Sequence, residues 1–412
     1  MNKASLLDNI LSFIADNNKY YNNIVSKNKC CLNNFPLLTR DELQINGKNI
    51  CDLNKLQRKT LYTTSSSGST GKPVTVYWNH NNYLTSMRTL WQRRNNYYGI
   101  TPLSRKLEFT CVNDIIKSSH PQYKIDNNTV LSFQCSSLNS QTSIIEACNI
   151  IEKFQPEWIY IQPSILKKII YVIKNKNLNI PKSIKYIECI GEILYDDLRE
   201  EILEVFNYPS VASMYGSEEM NGIAIECPYH NMHIISDNVY VECYSDGHCH
   251  ETGYGEIVIT NLRNYAQPLI RYLQGDIVEI APPIKCLCGY YNDKIIKKIS
   301  GRVRENIFIE LDNLELDNFI LNDCIRITNK KLNNIIIKYK FIFYKSLCEL
   351  LSLIYVKDKL LCDEKNIVES IKDFFQNKGY INLKVNVEIL NMIYDEKNEL
   401  KSNKYMTFEI RD

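Results

Sequence analysis

An excess of charge of one sign is missing from this chain. In 412 residues, 49 Lys and Arg face 47 Asp and Glu, a net charge of +2. That balance removes the electrostatic reason to expect nucleic acid or a membrane surface as the main partner. Long apolar runs are missing too. No stretch reaches the roughly 18 residues that a membrane-spanning helix needs. The segment from Met1 to Asp16 is interrupted by Asp8 and Asp16, and no basic region precedes a long apolar one. Cytoplasmic residence is therefore the expectation. Glycine is scarce at 14, whereas Tyr reaches 28 and Asn, Ile and Lys are plentiful, a bias that reads as AT-rich coding more than as function. No internal repeat is present. Cysteine is abundant, but a disulfide pattern is not: the count is 15, an odd number in a long chain, so most are expected to be buried thiols. The adjacent Cys30 and Cys31 and the isolated Cys51, Cys111, Cys135 and Cys148 carry no spacing signal.

What is present has an ordinary apolar share, 44%, enough for a sizeable core. Residues 1–60 read as mostly helical, with a helix start at Thr39, Arg40, Asp41 and Glu42 after Pro36. A strand is expected at Val74 to Trp78 and a helix over 79–98. From about 107 to 215 short apolar runs, among them Trp158–Ile161, Ile184–Ile190 and Val211–Met214, alternate with helical stretches, which predicts an α/β domain with layered sheets. Closely spaced strands at Asn238–Cys243, Gly255–Thr260 and Asp276–Ile280 predict a β-rich lobe. Beyond Gly301 the pattern gives strands near Asn334–Tyr344, Leu350–Val356 and Leu383–Leu390 and a helix from Glu364 to Asn377. The fold class is thus α/β: a large N-terminal domain of several subdomains, residues 1–303, and a small C-terminal α+β domain, residues 304–412.

Two clusters carry chemistry. The first is Thr63-Thr64-Ser65-Ser66-Ser67-Gly68-Ser69-Thr70-Gly71-Lys72-Pro73. Its glycines let backbone N–H groups approach a polyanion, its hydroxyls add donors, and Lys72 adds charge. A Walker loop needs four residues between its glycines and Ser or Thr after Lys; here two residues separate Gly68 from Gly71, and Pro73 follows Lys72. The second is Cys227, His230, His233, Cys286 and Cys288. Cys286-Leu287-Cys288-Gly289 forms a tight thiolate pair, and three Cys with one His suit a tetrahedral structural zinc site. Either histidine could complete that set by its spacing.

The first cluster resembles the ATP-phosphate loop of the adenylate-forming (acyl-CoA synthetase and adenylation-domain) superfamily, and further motifs recur in order. Pro36-Leu37-Leu38-Thr39-Arg40-Asp41-Glu42-Leu43 resembles the opening segment of the phenylacetate–CoA ligase-like branch. Gln162-Pro163-Ser164 and Gly191-Glu192 resemble its Pro-Ser turn and adenine-side loop. Met214-Tyr215-Gly216-Ser217-Glu218-Glu219 is similar to Tyr-Gly-x-Thr-Glu. Leu269-Ile270-Arg271-Tyr272 with Gly275-Asp276, Ser300-Gly301-Arg302, and Lys401-Ser402-Asn403-Lys404-Tyr405 resemble the ribose, hinge and C-terminal lysine motifs. The resemblance spans about residues 36 to 405.

The resemblance implies ATP and Mg²⁺ as cofactors and a small carboxylic acid, aromatic acids among the candidates, as substrate. Ser66, Ser67, Gly68, Ser69, Thr70 and Gly71 with Lys72 would hold the β- and γ-phosphates. Glu219 would bind Mg²⁺. Gly191, Glu192, Tyr215, Gly216 and Ser217 would surround the adenine, and Asp276 and Arg302 the ribose. Lys404, with Lys401 as competitor, would bridge the acid carboxylate and the α-phosphate. Some relatives in this branch carry a Cys/His–Cys-x-Cys zinc site, and the similarity of Asn231-Met232-His233 to their Gly-Met-His favours His233 over His230 beside Cys227, Cys286 and Cys288. Three positions depart from the pattern: Glu218 replaces a Thr or Ser, Arg304 stands at the hinge, and Ile307 to Asn313 lacks a glycine that relatives use in thioester formation. The expected activity is an AMP-forming acid–thiol ligase using CoA. The alternatives are transfer to a carrier protein or an amine, or a zinc-stabilised nucleotide-binding scaffold without turnover.

Overall fold

Thr39 starts a helix by a reciprocal cap. Its hydroxyl accepts from the Glu42 N–H at 3.2 Å, and the Glu42 carboxylate accepts from the Thr39 N–H at 2.8 Å. This helix belongs to a computed structural model that describes residues 3–25, 31–51, 53, 58–65, 74–110, 120–138, 140–302, 309–311, 314–316, 318–332, 335–356, 359, 362–391 and 408–412. Among the described residues no helix is long and apolar enough to cross a membrane. The chain divides into two compact units, one of Met1–Gln274 with Glu279–Lys298, the other of Gly275–Val278 with Ile299–Asp412.

The first unit opens with α1 (Lys3–Asn17), α2 (Lys19–Asn22) and α3 (Arg40–Ile50), then the antiparallel pair β1 (Tyr62–Ser65) and β2 (Thr75–Trp78), then α4 (His80–Tyr98). The alternating stretch follows as β3 (Lys106–Thr110), β4 (Tyr123–Asp126), β5 (Val130–Gln134), α5 (Gln141–Phe154), β6 (Trp158–Ile161), α6 (Pro163–Lys176), β7 (Tyr186–Ile190), α7 (Asp196–Val205) and β8 (Ser210–Ser217). The next strands are β9 (Asn221–Glu226), β10 (Met232–Ile234), β11 (Val239–Ser245), β12 (His248–His250), β13 (Gly253–Asn261), β14 (Tyr272–Ala281) and β15 (Ile295–Arg302), the last two carrying residues of both units.

Among the described residues these strands form one sheet of 13, in the order β12-β11-β13-β14-β15-β10-β9-β8-β7-β6-β3-β5-β4. The run β5-β3-β6-β7-β8 is parallel, as βαβ crossovers require. The β-rich lobe expected at 234–280 is hydrogen-bonded into this same sheet. Strand β8 explains the continuity: it pairs parallel with β7 on one edge and, after a tight turn, antiparallel with β9 on the other.

Period-2 alternation sends the parallel strands' side chains to two different environments. On one face Leu107, Leu131, Ile159, Ile187 and Val211 pack with Ile144, Ile169 and Ile202 of α5, α6 and α7. On the other, Trp158, Tyr186 and Ala212 meet α4 through Trp91 and Tyr98. Arg94 of α4 reaches into this second face and forks onto Glu188 of β7, Nε to Oε2 at 2.8 Å and Nη2 to Oε1 at 2.6 Å. The Tyr186 hydroxyl donates to Glu188 Oε2 at 2.9 Å, and the guanidinium lies 4.6 Å from the Trp91 ring centre. Arg93, the preceding residue, pairs with Asp293 at 2.7 Å and lies 3.4 Å over the Tyr290 ring.

The second unit adds the pair β16 (Ile309–Leu311) and β17 (Leu314–Leu316), then α8 (Asn318–Lys331), β18 (Ile336–Tyr344), β19 (Glu349–Val356), α9 (Glu364–Asn377), β20 (Lys384–Asn391) and β21 (Phe408–Arg411). Its sheet runs β20-β19-β18-β21. Cys324 and Ile325 of α8 and Ile367, Ile371 and Phe375 of α9 join Phe341, Leu350 and Phe408 in one core.

Removing one partner of the buried Arg94–Glu188 pair strands the other. Arg94→Met is expected to lower unfolding stability by about 3–5 kcal/mol, with much of that recovered in Arg94→Met/Glu188→Leu. Urea unfolding of both variants checks this; a single-variant loss below about 1 kcal/mol would mean that the pair is not insulated from water.

Candidate functional site

Two turns at the carboxyl ends of β7 and β8 gather most of the described site residues, the edge of a parallel sheet where ligands bind in open α/β folds. After β7, Gly191 takes φ +73, a left-handed conformation that glycine adopts without a Cβ penalty. The next side chain, Glu192, accepts from the Ser164 N–H at 2.8 Å and from its hydroxyl at 2.8 Å. The Gly191–Glu192 loop is thereby tied to the first turn of α6, where Pro163 and Ser164 sit, and a carboxylate there suits the helix N-terminus. Glu192 thus acts on the loop's position, and the Pro-Ser turn is its anchor.

At the end of β8 the ladder with β9 shifts register between Tyr215 and Gly216. A Cβ on Gly216 would sit 2.5 Å from the Asn221 carbonyl oxygen, so only glycine fits this bulge. Tyr215 and Ser217 flank it, partly buried, with Ser217 Oγ 3.3 Å from Gln274 Oε1. Glu218 and Glu219 form the turn. The Glu218 carbonyl accepts from the Thr64 hydroxyl at 3.1 Å, which ties β1 to the turn. Its carboxyl is raised above the usual range, first by desolvation and then by the charge of Glu219.

Glu219 is 2% exposed. Its Oε1 lies 3.3 Å from Arg40 Nη1 and 3.4 Å from the Tyr272 hydroxyl, and its carbonyl accepts from Asn261 Nδ2 at 3.2 Å. Burial, and then the Glu219 charge, raise the Tyr272 hydroxyl, which stays protonated as a donor to the carboxylate. Arg40 is the contact that motif reading missed. The signal was its place inside the Thr39–Glu42 cap, but its partner lies 179 residues away.

In the second unit Asp276 and Arg302 are brought together, Oδ1 to Nε at 3.4 Å, each directly after a glycine of positive φ, Gly275 at +85 and Gly301 at +113. Asp276 is 7% exposed. Ser66, Ser67, Gly68, Ser69, Thr70, Gly71, Lys72 and Lys404 lie outside the described residues, as do Lys401 and Arg304.

The Cys/His cluster converges. The ligand atoms of Cys227, His233, Cys286 and Cys288 all lie within 4.8 Å of one another. Cys227 follows β9, His233 comes from β10, which pairs with β9, and the Cys286–Gly289 turn closes the group. Tetrahedral zinc at about 2.3 Å from sulfur and about 2.0 Å from nitrogen sets edges of about 3.8 Å and about 3.5 Å. The two edges here are 3.7 Å for Cys227–Cys286 and 3.3 Å for Cys288–His233. The donor set and its size therefore fit zinc. His230 points away: its Nδ1 is 2.8 Å from Glu226 Oε1 and its side chain is 66% exposed.

The AMP-binding enzyme family matches residues 27–243, more than half of the chain. The chain belongs to this family. It is an adenylate-forming enzyme by family, as its motifs imply, and ATP is the nucleotide that membership implies. Among curated relatives, Protein CapK of Staphylococcus aureus is 24% identical over 371 residues, covering 80% of this chain and 79% of that protein. The crystal structure of 2-hydroxyisobutyryl-CoA ligase in the postadenylation state with 2-HIB-AMP superposes with a TM-score of 0.72 at 12% identity, over 94% of this chain and 85% of the ligase. GH3.15 acyl acid amido synthetase reaches 0.59 at 12% identity over 98% and 89%. These structural likenesses give the adenylation fold.

The geometry separates the two histidines of the cluster. Metal bound there is expected to be lost in His233→Ala and retained in His230→Ala, read as metal per chain by elemental analysis of the purified proteins. Equal retention in both would rule out His233 as the fourth ligand.

Proposed function

We propose that the chain is an AMP-forming carboxylate ligase of the phenylacetate–CoA ligase-like branch, which activates a small acid with ATP and Mg²⁺ and passes the acyl group to a thiol, CoA in the first instance. The observation that carries this reading is the β8 turn. There a buried Glu219, a glycine-only bulge at Gly216 and a hydrogen bond to β1 lie together at the carboxyl edge of a parallel sheet. The family match supplies the adenylate-forming chemistry.

In the first step an oxygen of the acid carboxylate attacks the α-phosphorus of ATP. A P–O bond forms, the bond to the bridging oxygen breaks, and pyrophosphate leaves. Positioning and charge neutralisation carry such a step. Ser66 to Lys72 would receive the β- and γ-phosphates, and Glu219 would hold Mg²⁺, which when bound screens their charge. Tyr215 and the Gly191–Glu192 loop would border the adenine, and Asp276 with Arg302 would take the ribose hydroxyls. Lys404 would bridge the carboxylate and the α-phosphate. In the second step a thiolate sulfur attacks the acyl carbon and AMP leaves.

Zinc on Cys227, His233, Cys286 and Cys288 is proposed as structural, since four protein ligands leave no open position. Cytoplasmic residence is part of the same proposal. The fold also serves an enzyme named as an acyl acid amido synthetase, so an amine acceptor is the second reading, and CoA dependence separates the two.

ATP–pyrophosphate exchange with Mg²⁺ across aryl, fatty, hydroxy and amino acids tests the activation step. Exchange is expected with one class of acid, and Lys404→Ala should lower it by at least about 100-fold. Full exchange in Lys404→Ala would remove that lysine from the reaction. ATP binding with no exchange on any acid would favour the scaffold reading.

A further inference from the structure

Arg40 is held firmly against the carboxylate proposed to bind metal. Its helix is fixed by the Thr39–Glu42 cap, and the preceding Leu38 is hydrogen-bonded on both sides: its N–H to the Arg271 carbonyl at 3.0 Å, its carbonyl from the Leu273 N–H at 2.9 Å. The side chains of Arg40 and Glu219 are 21% and 3% exposed. A carboxylate this buried needs a countercharge, and the guanidinium supplies it. A fixed cation at that position also opposes any second cation on the same group.

Arg40 and Tyr272 both engage Oε1 of Glu219. The neighbouring Glu218 lies on the exposed side of the turn, whereas Glu219 is buried against Arg40. Glu219 with Arg40 is a neutral pair. A free divalent ion would leave two uncompensated positive charges beside it. The same ion carried by ATP arrives with an excess of negative charge, which offsets both the ion and the arginine.

We propose that Arg40 is a positioning residue that makes divalent-metal capture by Glu219 conditional on ATP. It fixes the carboxylate through Oε1 and repels the metal unless phosphates accompany it. This rests on the reading of Glu219 as the Mg²⁺ ligand.

Mn²⁺ is the probe, its binding followed by electron paramagnetic resonance with and without a non-hydrolysable ATP analogue. Wild type is expected to bind Mn²⁺ weakly alone and tightly with the analogue. Arg40→Gln, which keeps a donor but removes the charge, should bind Mn²⁺ without nucleotide at least about tenfold more tightly than wild type. Its Tm should fall in the absence of metal and recover with Mn²⁺, a rescue that a merely structural arginine would not give. Arg40→Lys should behave like wild type and covers the case in which Arg40→Gln does not fold, since a lysine variant that bound free Mn²⁺ tightly would contradict a charge-based gate. Unchanged Mn²⁺ affinity in nucleotide-free Arg40→Gln would overturn the proposal. If Glu219→Gln leaves Mn²⁺ binding to the ATP-analogue complex unaltered, the assignment of Glu219 itself fails instead.

Discussion

A guanidinium forked onto a carboxylate beneath aromatic rings sets the geometry of the first unit. Arg94 and Glu188 are 3% and 0% exposed, so neither can exchange its partner for water. Such a pair adds little net stability over an apolar contact of the same volume, but its two parallel hydrogen bonds permit only one orientation. Helix α4 is thereby fixed in rotation and in height on β7. The consequence passes to the next residue, because neighbouring side chains on a helix point about 100° apart. With Arg94 directed into the parallel half of the sheet, Arg93 is directed to Asp293 and Tyr290, just beyond the two cysteines at 286 and 288. One helix therefore aligns the parallel strands with the Cys/His cluster.

The same helix bears on the nucleotide side. It begins at His80, directly after β2, and β2 is paired with β1 over four residues from Tyr62↔Trp78 to Ser65↔Thr75. Strand β1 is in turn hydrogen-bonded to the Glu218 carbonyl. The two strands on either side of residues 66–73 in sequence are thus paired with each other, and β1 is anchored to the turn that carries Glu219. Charge balance, backbone pairing and a glycine bulge converge there, although the residues involved are far apart in sequence.

Local periodicity made the elements legible. Trp158–Ile161 and Glu364–Asn377 coincide with the strand and helix read from pattern, and the Thr39 helix start follows from a reciprocal cap that needs only four neighbouring residues. What periodicity lacks is the identity of a strand's partner. The strands of 234–280 read as a smaller β-rich lobe; that they continue the parallel strands in one sheet was not legible, because it depends on β8 offering both its edges. The site divides in the same way. His233 and the three cysteines were legible because metal ligation restricts residue type, and the strand pairing of β9 with β10 then selects His233 over His230. Arg40 was not legible, because an ion pair spanning 179 residues leaves no mark on local sequence. The hydrogen bonds from Ser164 to the Glu192 carboxylate were likewise not legible, since only the packing of two loops reveals them.

Scarcity of glycine sharpens the rest of the argument. With 14 in 412 residues, glycine here is not a default filler of loops. At Gly216 a Cβ would meet a backbone oxygen at 2.5 Å, and a carbonyl fixed in a sheet ladder cannot withdraw as a side chain could. At Gly191 the backbone is left-handed, but the nearest atom to a Cβ is 3.8 Å away, so the requirement is conformational and not steric. The two positions thus need glycine for different reasons, one for a close approach and one for a turn, yet both end adjacent parallel strands at the same edge. A sheet edge shaped twice by independent constraints is more specific evidence for a site than either motif alone, because coincidence in sequence would not require both to fall on neighbouring strands.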